Sequence, residues 1–414
     1  GAGSTSAAAD ASSCSLNGPI DAHGVHRSAE RPDRAPRPAP AHEWTAQRTV
    51  AARLRSVANH SPGPLLSPPP PGPAIQRRGR PLDWSPMPTR HSPSTLQGPV
   101  LALDLGATNA RAAVVTPDGK VHARQAGAWP RDAGRPAVLD FCLDLLRRAR
   151  EQHLATEGQA PVALGMSAPG PIDPRKGAFI DPPNMGQVFF GFPIAPVFGD
   201  ALGLPWAMGK DTNVAILGER DFGAGEGSGD LIYLTISTGV GGAALLGGRP
   251  VVGPDLVAGE LGHITVDMDG PLCGCGGVGH VEAFASGTGI ALRAAEALES
   301  DAEAPELRRI AAEIAPSPLS AVDVSEAADL GDPAASFILE RARRAVAVAV
   351  VSIVNVFGPD VVILGGGVAL AWGERLITPA REAVAESAFR IQADRVKIVQ
   401  AALGDDVGLI GTVP

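Results

Sequence analysis

The stretch VLALDLGATNARAAVV, residues 100–115, decides how this chain folds. An apolar run enters a short turn built on Gly106 and Ala107 and resumes as a second apolar run, the pattern of a β-hairpin. The same order returns at LIYLTISTGVGGAALL, residues 231–246. Each turn carries a threonine, Thr108 in the first and Thr238 in the second. Downstream of each hairpin an apolar strand enters a loop rich in proline or glycine, VALGMSAPGP at 162–171 and DVVILGGGV at 360–368. Helical spacing fills the intervals, as in AVLDFCLDLLRRARE (137–151) and ILERARRAVAVAVVSIVNVF (338–357). Two copies of one α/β unit predict an internal duplication with a cleft between the halves. Ligands of open α/β sheets collect at such clefts.

A chain of 414 residues is long enough for two or three domains and a sizeable core. Its formal charge of −9 argues against nucleic acid as a general partner, because that binding rests on basic contacts to phosphate. Cysteines at 14, 142, 273 and 275 are too few and too unevenly placed for a secreted disulfide framework. The longest nearly continuous apolar run, AVAVAVVSIVNVF at 345–357, is shorter than the ~20 residues that span a bilayer. No signal-peptide apolar segment is present near the start. A cytoplasmic protein with no membrane partner is expected.

Residues 1–97 differ from the rest. They hold 16 of the 39 prolines, and their 11 Arg against 6 Asp and Glu leave a net +5. Such a segment buries too little apolar surface to offset its ordering entropy, so a disordered Pro/Arg-rich extension is expected. The remainder divides into an N-terminal α/β domain, 98–210, completed by 395–414, and a C-terminal α/β domain, 211–394.

Glycine turns let backbone N–H groups close around an anion, and hydroxyls add donors. One such hairpin is also an ordinary β-turn, but two at equivalent places in a duplication point to phosphate. Asp104, just before the first turn, suits a hydrated Mg²⁺. The GxxxxGK[ST] pattern is absent, as is a GxGxxG between strand and helix. The run Gly365, Gly366 and Gly367 ends an apolar strand and precedes a helix, where bare backbone at a helix N-terminus suits a nucleotide. Asp211, in KDTNVAILGE (210–219), reads either as a helix cap or as a carboxylate that accepts a hydroxyl proton. Asn184 reads as a turn former or a hydroxyl ligand. His263, Cys273, Cys275 and His280 offer the four N/S ligands of a closed zinc site, against the alternative of free thiols in a loop. Glu260 and Glu282 flank that cluster and are placed to clamp sugar hydroxyls or simply to solvate the surface.

Together DLGATN, SAPGPID, PPN, KDTNVAILGE, STGVGGA, GELGH, CGCGGVGHVEAFASG and LGGGV resemble the ROK family of sugar kinases and sugar-responsive repressors, over residues 98–414. The resemblance implies a duplicated actin-like ATPase (ribonuclease H-like) α/β fold and ATP-dependent phosphorylation of a hexose, glucose first, by a homo-oligomer. Fructose, mannose and N-acetylhexosamines are alternative acceptors, and polyphosphate an alternative donor. It implies Asp211 as catalytic base and Asn184, Asp211, Glu260, His263 and Glu282 as sugar ligands. Asp104, Gly106, Thr108 and Asn109 would form the first phosphate turn. Thr238, Gly239, Gly241 and Gly242 would form the second, and Gly365, Gly366 and Gly367 the adenosine motif. His263 would serve both sugar and zinc, through its two ring nitrogens.

Several positions depart from the family pattern. Ala107 replaces a glycine, Ser237 stands where glycine is frequent, and His280 replaces the third cysteine of the knuckle. Lys210 precedes the base where glucokinases usually carry asparagine, which weakens the case for strict glucose preference. A repressor would need a helix-turn-helix; upstream there is one basic helix candidate, TAQRTVAARLRSVA at 45–58. A chaperone or filament protein of the same fold would have no use for the sugar-ligand set.

Overall fold

Apolar runs of Val, Leu, Ile and Ala build both hairpins. The computed structural model describes residues 97–106, 109–130, 133–180 and 189–414. The expected extension over 1–97, with its helix candidate at 45–58, lies outside the described residues except for Gln97.

Strand β1 (Val100–Leu105) pairs antiparallel with β2 (Asn109–Val115), placing Asp104 opposite Arg111. β3 (Val121–Ala128) extends this sheet on one side. On the other side β4 (Ala163–Ala168) runs parallel to β1, and β7 (Trp206–Lys210) runs parallel to β4. The short strands β5 (Ile172–Asp173) and β6 (Ala178–Phe179) form a separate ribbon. The second sheet uses β8 (Leu231–Ile236), β9 (Val240–Leu246), β10 (Arg249–Pro250), β11 (Val361–Gly365) and β12 (Lys397–Gln400). The strand orders are β3-β2-β1-β4-β7 and β10-β9-β8-β11-β12. In each, a hairpin is flanked by a third antiparallel strand and then by two parallel strands, so the duplication read from the hairpins extends to the whole sheet.

Helix α1 (Gly134–Glu157) lays Val138, Cys142, Leu145, Leu146 and Ala149 on the first sheet at three- and four-residue spacing. Helix α2 (Ile194–Leu202) buries Phe198 in the same core. Helix α3 (Asp211–Phe222) follows β7 directly. The second lobe adds α4 (Val281–Ala285), α5 (Gly287–Glu299), α6 (Pro305–Ile314), α7 (Ala321–Asp329) and α8 (Pro333–Phe357). After β11 come α9 (Gly367–Trp372), α10 (Glu374–Ser387), α11 (Arg390–Ala393) and finally α12 (Val407–Ile410). The apolar run that is too short to span a bilayer lies in α8, where Val346, Val350 and Ile353 are wholly buried in the same core as Ile232 and Leu234 of β8. Among the described residues no helix is long and apolar enough to cross a membrane.

The terminal segment 395–414 is shared between the lobes. Its strand β12 pairs with β11 in the second sheet. Beyond it, Leu409 and Val413 pack with Val100 and Ala102 of the first. Buried Glu219, in the last turns of α3, ties down the crossing chain. Its carboxylate accepts from the backbone N–H groups of Ala224 at 2.8 Å, Ala402 at 3.0 Å and Leu403 at 3.0 Å.

Candidate active site

The ends of the two sheets face one another across a cavity of ≈ 970 Å³, the size range of a small-molecule site. Asp104 from β1, Ser167 from β4 and Lys210 from β7 line one side; Thr235, Thr238 and Gly239 of the second hairpin line the other. Glu260, His263, Glu282, Gly366 and Gly367 complete the wall together with Asp211.

Asp211 is the first residue of α3 and opens onto the cleft. Its Oδ1 accepts from the next residue's N–H, Thr212, at 2.7 Å, and makes no capping bond deeper in the helix. The carboxylate thus satisfies one N–H of the first turn and still opens onto the cleft, so the cap and the proton acceptor are compatible readings. Desolvation by the surrounding protein pushes its pKa up to about 6, with the Thr212 N–H and the Lys210 charge opposing and Asp104 and Glu260 reinforcing. The side chain remains open to the cleft, where an acceptor hydroxyl can reach it. Burial also raises the pKa of Asp104, against the Ser167 hydroxyl and Arg111. The Arg111 Nε lies 3.9 Å from Asp104 Oδ2.

In the first turn, Gly106 donates its N–H to the Asn109 carbonyl at 2.9 Å; Thr108 lies outside the described residues. The second turn is braced by α5, whose Gly287 and Thr288 N–H groups donate to the carbonyls of Ser237 at 2.7 Å and Thr238 at 3.2 Å. Thr238, Gly239 and Gly241 line the cavity. Gly242 is turned away from it, against Leu261, and Gly365 packs on the Tyr233 ring. Gly366 has φ +86°, and a Cβ there would stand 2.5 Å from the Ile236 carbonyl oxygen, so this turn admits only glycine.

The four sulfur and nitrogen candidates converge. One ligand atom from each of His263, Cys273, Cys275 and His280 lies within 4.8 Å of the others. Cys273 Sγ is 3.9 Å from His263 Nδ1, and Cys275 Sγ is 3.2 Å from His280 Nδ1. This donor set fits a tetrahedral zinc ion. A metal held there would take His263 through Nδ1, the nitrogen that faces Cys273 Sγ, and would leave Nε2 free for another partner. A Cβ on Gly277 would fall 2.1 Å from the His280 ring, so the knuckle is shaped around an imidazole. Burial pushes the Cys273 thiol up to about 11, and a metal held there must displace its proton.

Asn184 lies outside the described residues. Every other predicted sugar ligand lines the one cavity. Sequence reasoning passed over Arg111, Arg293 and the terminal residues Gly404, Asp405 and Gly408, all of which also line it. Counting outward from the first turn puts Arg111 opposite Asp104, a signal that was readable. The terminal residues carry none, because the short turns that hold them, Gly404–Asp406 and Val407–Ile410, are too brief to show a period.

A duplicated α/β fold, with two glycine turns and an aspartate meeting across a cleft, defines the class. The sequence matches the ROK family over residues 100–413, and the chain belongs to that family. It is 31% identical over 313 residues to a glucokinase of Thermotoga maritima, covering 75% of this chain and 95% of that protein. An N-acetylmannosamine kinase of Escherichia coli O157:H7 is 30% identical over 312 residues, covering 75% and 96%. The crystal structure of a ROK family glucokinase from Streptomyces griseus in complex with glucose and AMPPNP has a TM-score of 0.64 at 29% identity, covering 76% of this chain and 98% of that one.

Proposed function

We propose that this protein is a sugar kinase that transfers the γ-phosphoryl group of ATP to a hexose hydroxyl, glucose being the first candidate. The observation that carries this reading is the placement of Asp211. It stands at the head of α3 and lines the same cavity as Glu260, His263 and Glu282, the expected hydroxyl ligands, and the Thr238–Gly239 turn. Asp211 accepts the proton of the acceptor hydroxyl as its oxygen bonds to the γ-phosphorus, and the bond to the β–γ bridging oxygen breaks to release ADP. The Thr238 turn offers backbone and hydroxyl donors to the phosphates. Mg²⁺, held through water at Asp104, would neutralise charge on the transferred group. Zinc at His263, Cys273, Cys275 and His280 would fix the His263 ring so that Nε2 meets the sugar. The enzyme works as a homo-oligomer, a reading supported by the exposed apolar side chains of Val356, Phe389 and Ile391 on the second lobe.

A coupled ADP-release assay against glucose, fructose, mannose and N-acetylhexosamines tests this directly, with polyphosphate as an alternative donor. Release of ADP with one or more hexoses, abolished by Asp211→Ala in a folded protein, is the expected result. Absence of turnover with every sugar, accompanied by sequence-specific DNA binding that is lost on removal of residues 1–97, replaces the kinase with a sugar-responsive repressor.

A further inference from the structure

Lys210 is 8% exposed, an unusual setting for an ammonium, and it sits at the end of β7 immediately before Asp211. Its Nζ donates to Glu260 Oε1, so the pair spans from the first sheet to the loop that precedes Leu261–His263. Both residues line the cavity. The lysine stem is guided as well as the head. A Cβ on Gly170 would stand 3.3 Å from both Cδ and Cε of Lys210, so the stem runs against that glycine's bare backbone.

An ammonium has three donors and no acceptor; a carboxylate only accepts. The pair therefore presents a bound molecule with fixed polarity. A hydroxyl over Lys210 must accept, and one over Glu260 must donate. Two neighbouring hydroxyls on a sugar ring satisfy both at once. An asparagine at this position would offer a donor and an acceptor together and impose no such order. Asp211, Glu260 and Glu282 line the cavity beside Lys210, so carboxylates outnumber the ammonium at this end of the cleft, which disfavours an acidic sugar.

We propose that Lys210 is a specificity-determining residue of the acceptor site, which with Glu260 reads a vicinal diol on a neutral hexose. The proposal rests on the sugar-kinase reading given above. Lys210→Met keeps the length of the stem and removes the donors. It should lower kcat/KM for the best hexose by about 10- to 100-fold, mostly through KM, the range for a hydrogen bond to a charged group. Lys210→Arg should restore part of the loss. Ring-deoxy analogues of that hexose give a readout that a purely structural role would not move. The wild type should discriminate against one analogue by a similar factor, and Lys210→Met should use that analogue and the parent sugar nearly equally. Gly170→Ala, which crowds the stem and leaves every polar group in place, should raise the hexose KM several-fold. It keeps the test available if Lys210→Met does not fold, as judged by its melting temperature. A Lys210→Met enzyme with wild-type hexose KM, or with an unchanged ranking of deoxy sugars, overturns the proposal. A wild-type chain that turns over no hexose overturns the kinase reading instead, so the two failures are distinguishable.

Discussion

The Glu282 carboxylate accepts a hydrogen bond from the Val240 N–H at 2.9 Å, which fastens the start of α4 to the second glycine turn. Its other oxygen lies 3.5 Å from Cys273 Sγ, in the metal knuckle. One side chain thus joins the part of the cleft that would hold phosphate to the part that would hold metal and sugar. Loss of the Cys273 proton on metal binding would free Oε1 from that thiol and leave it to accept from a sugar hydroxyl.

Two substitutions separate these roles. Glu282→Gln keeps an acceptor for Val240, so the ATP KM should stay near wild type while the hexose KM rises. Glu282→Ala releases the turn as well, and both KM values should rise, with kcat/KM down by about 10²-fold or more. Steady-state kinetics with each substrate varied in turn check this. An alanine variant that moves only the hexose KM removes the coupling.

Asp211 makes a prediction about pH. Its pKa of about 6 lies above the ordinary 3.8, and the base must be ionised to act. kcat/KM should therefore fall on acidification with an apparent pKa near 6, and Asp211→Asn should be inactive at every pH. The same shift has a consequence for stability. Folding favours the protonated carboxyl, an advantage fully present below 3.8 and lost as pH rises through about 6. Asp211→Asn should accordingly melt higher than wild type at pH 8, with the gap narrowing at pH 5. Scanning fluorimetry at the two values checks the sign.

Much of this was legible because local rules and global fold agree. The two hairpins announced themselves through apolar runs broken by glycine, and their repetition gave the cleft. Cys273, Cys275 and His280 are close in sequence, so their convergence needed only a turn. The Lys210–Glu260 pair is separated by 50 positions, and no spacing rule joins residues that meet only when two lobes face each other. Lys210 could be seen as unusual; its partner could not. The division of 395–414 between the sheets was equally hidden, because β12 and α12 are each only four residues long. Gly242 and Gly365 share a motif with cavity-lining neighbours, but the alternation of a strand turns them to its other face.

The knuckle should hold about one zinc per chain, and removing it with a strong chelator should lower the melting temperature and raise the hexose KM together. His280→Ala should lose affinity for zinc, whereas His280→Cys, which restores a sulfur ligand, should keep it. Metal analysis of the two purified variants decides the point. Unchanged zinc stoichiometry and affinity in His280→Ala would remove His280 from the site.

Glu219 offers a test of how α3 is anchored. Its carboxylate is wholly buried, and the N–H groups it accepts from include Ala402 and Leu403, on the chain crossing from β12 toward α12. Removing it takes away three hydrogen bonds from part-buried backbone N–H groups to a charged acceptor, each worth about 1.5–3 kcal/mol. Glu219→Ala should therefore destabilise the protein by on the order of 3 kcal/mol or more, measured by urea unfolding. Asp211 begins the helix that Glu219 anchors, so a variant that still folds should also lose kcat. Glu219→Gln keeps two acceptor lone pairs on one oxygen and should fall between the two. An alanine variant with wild-type unfolding and wild-type kcat would show that α3 is held by its apolar contacts alone, with Ile216 and Val214 sufficient to seat the base.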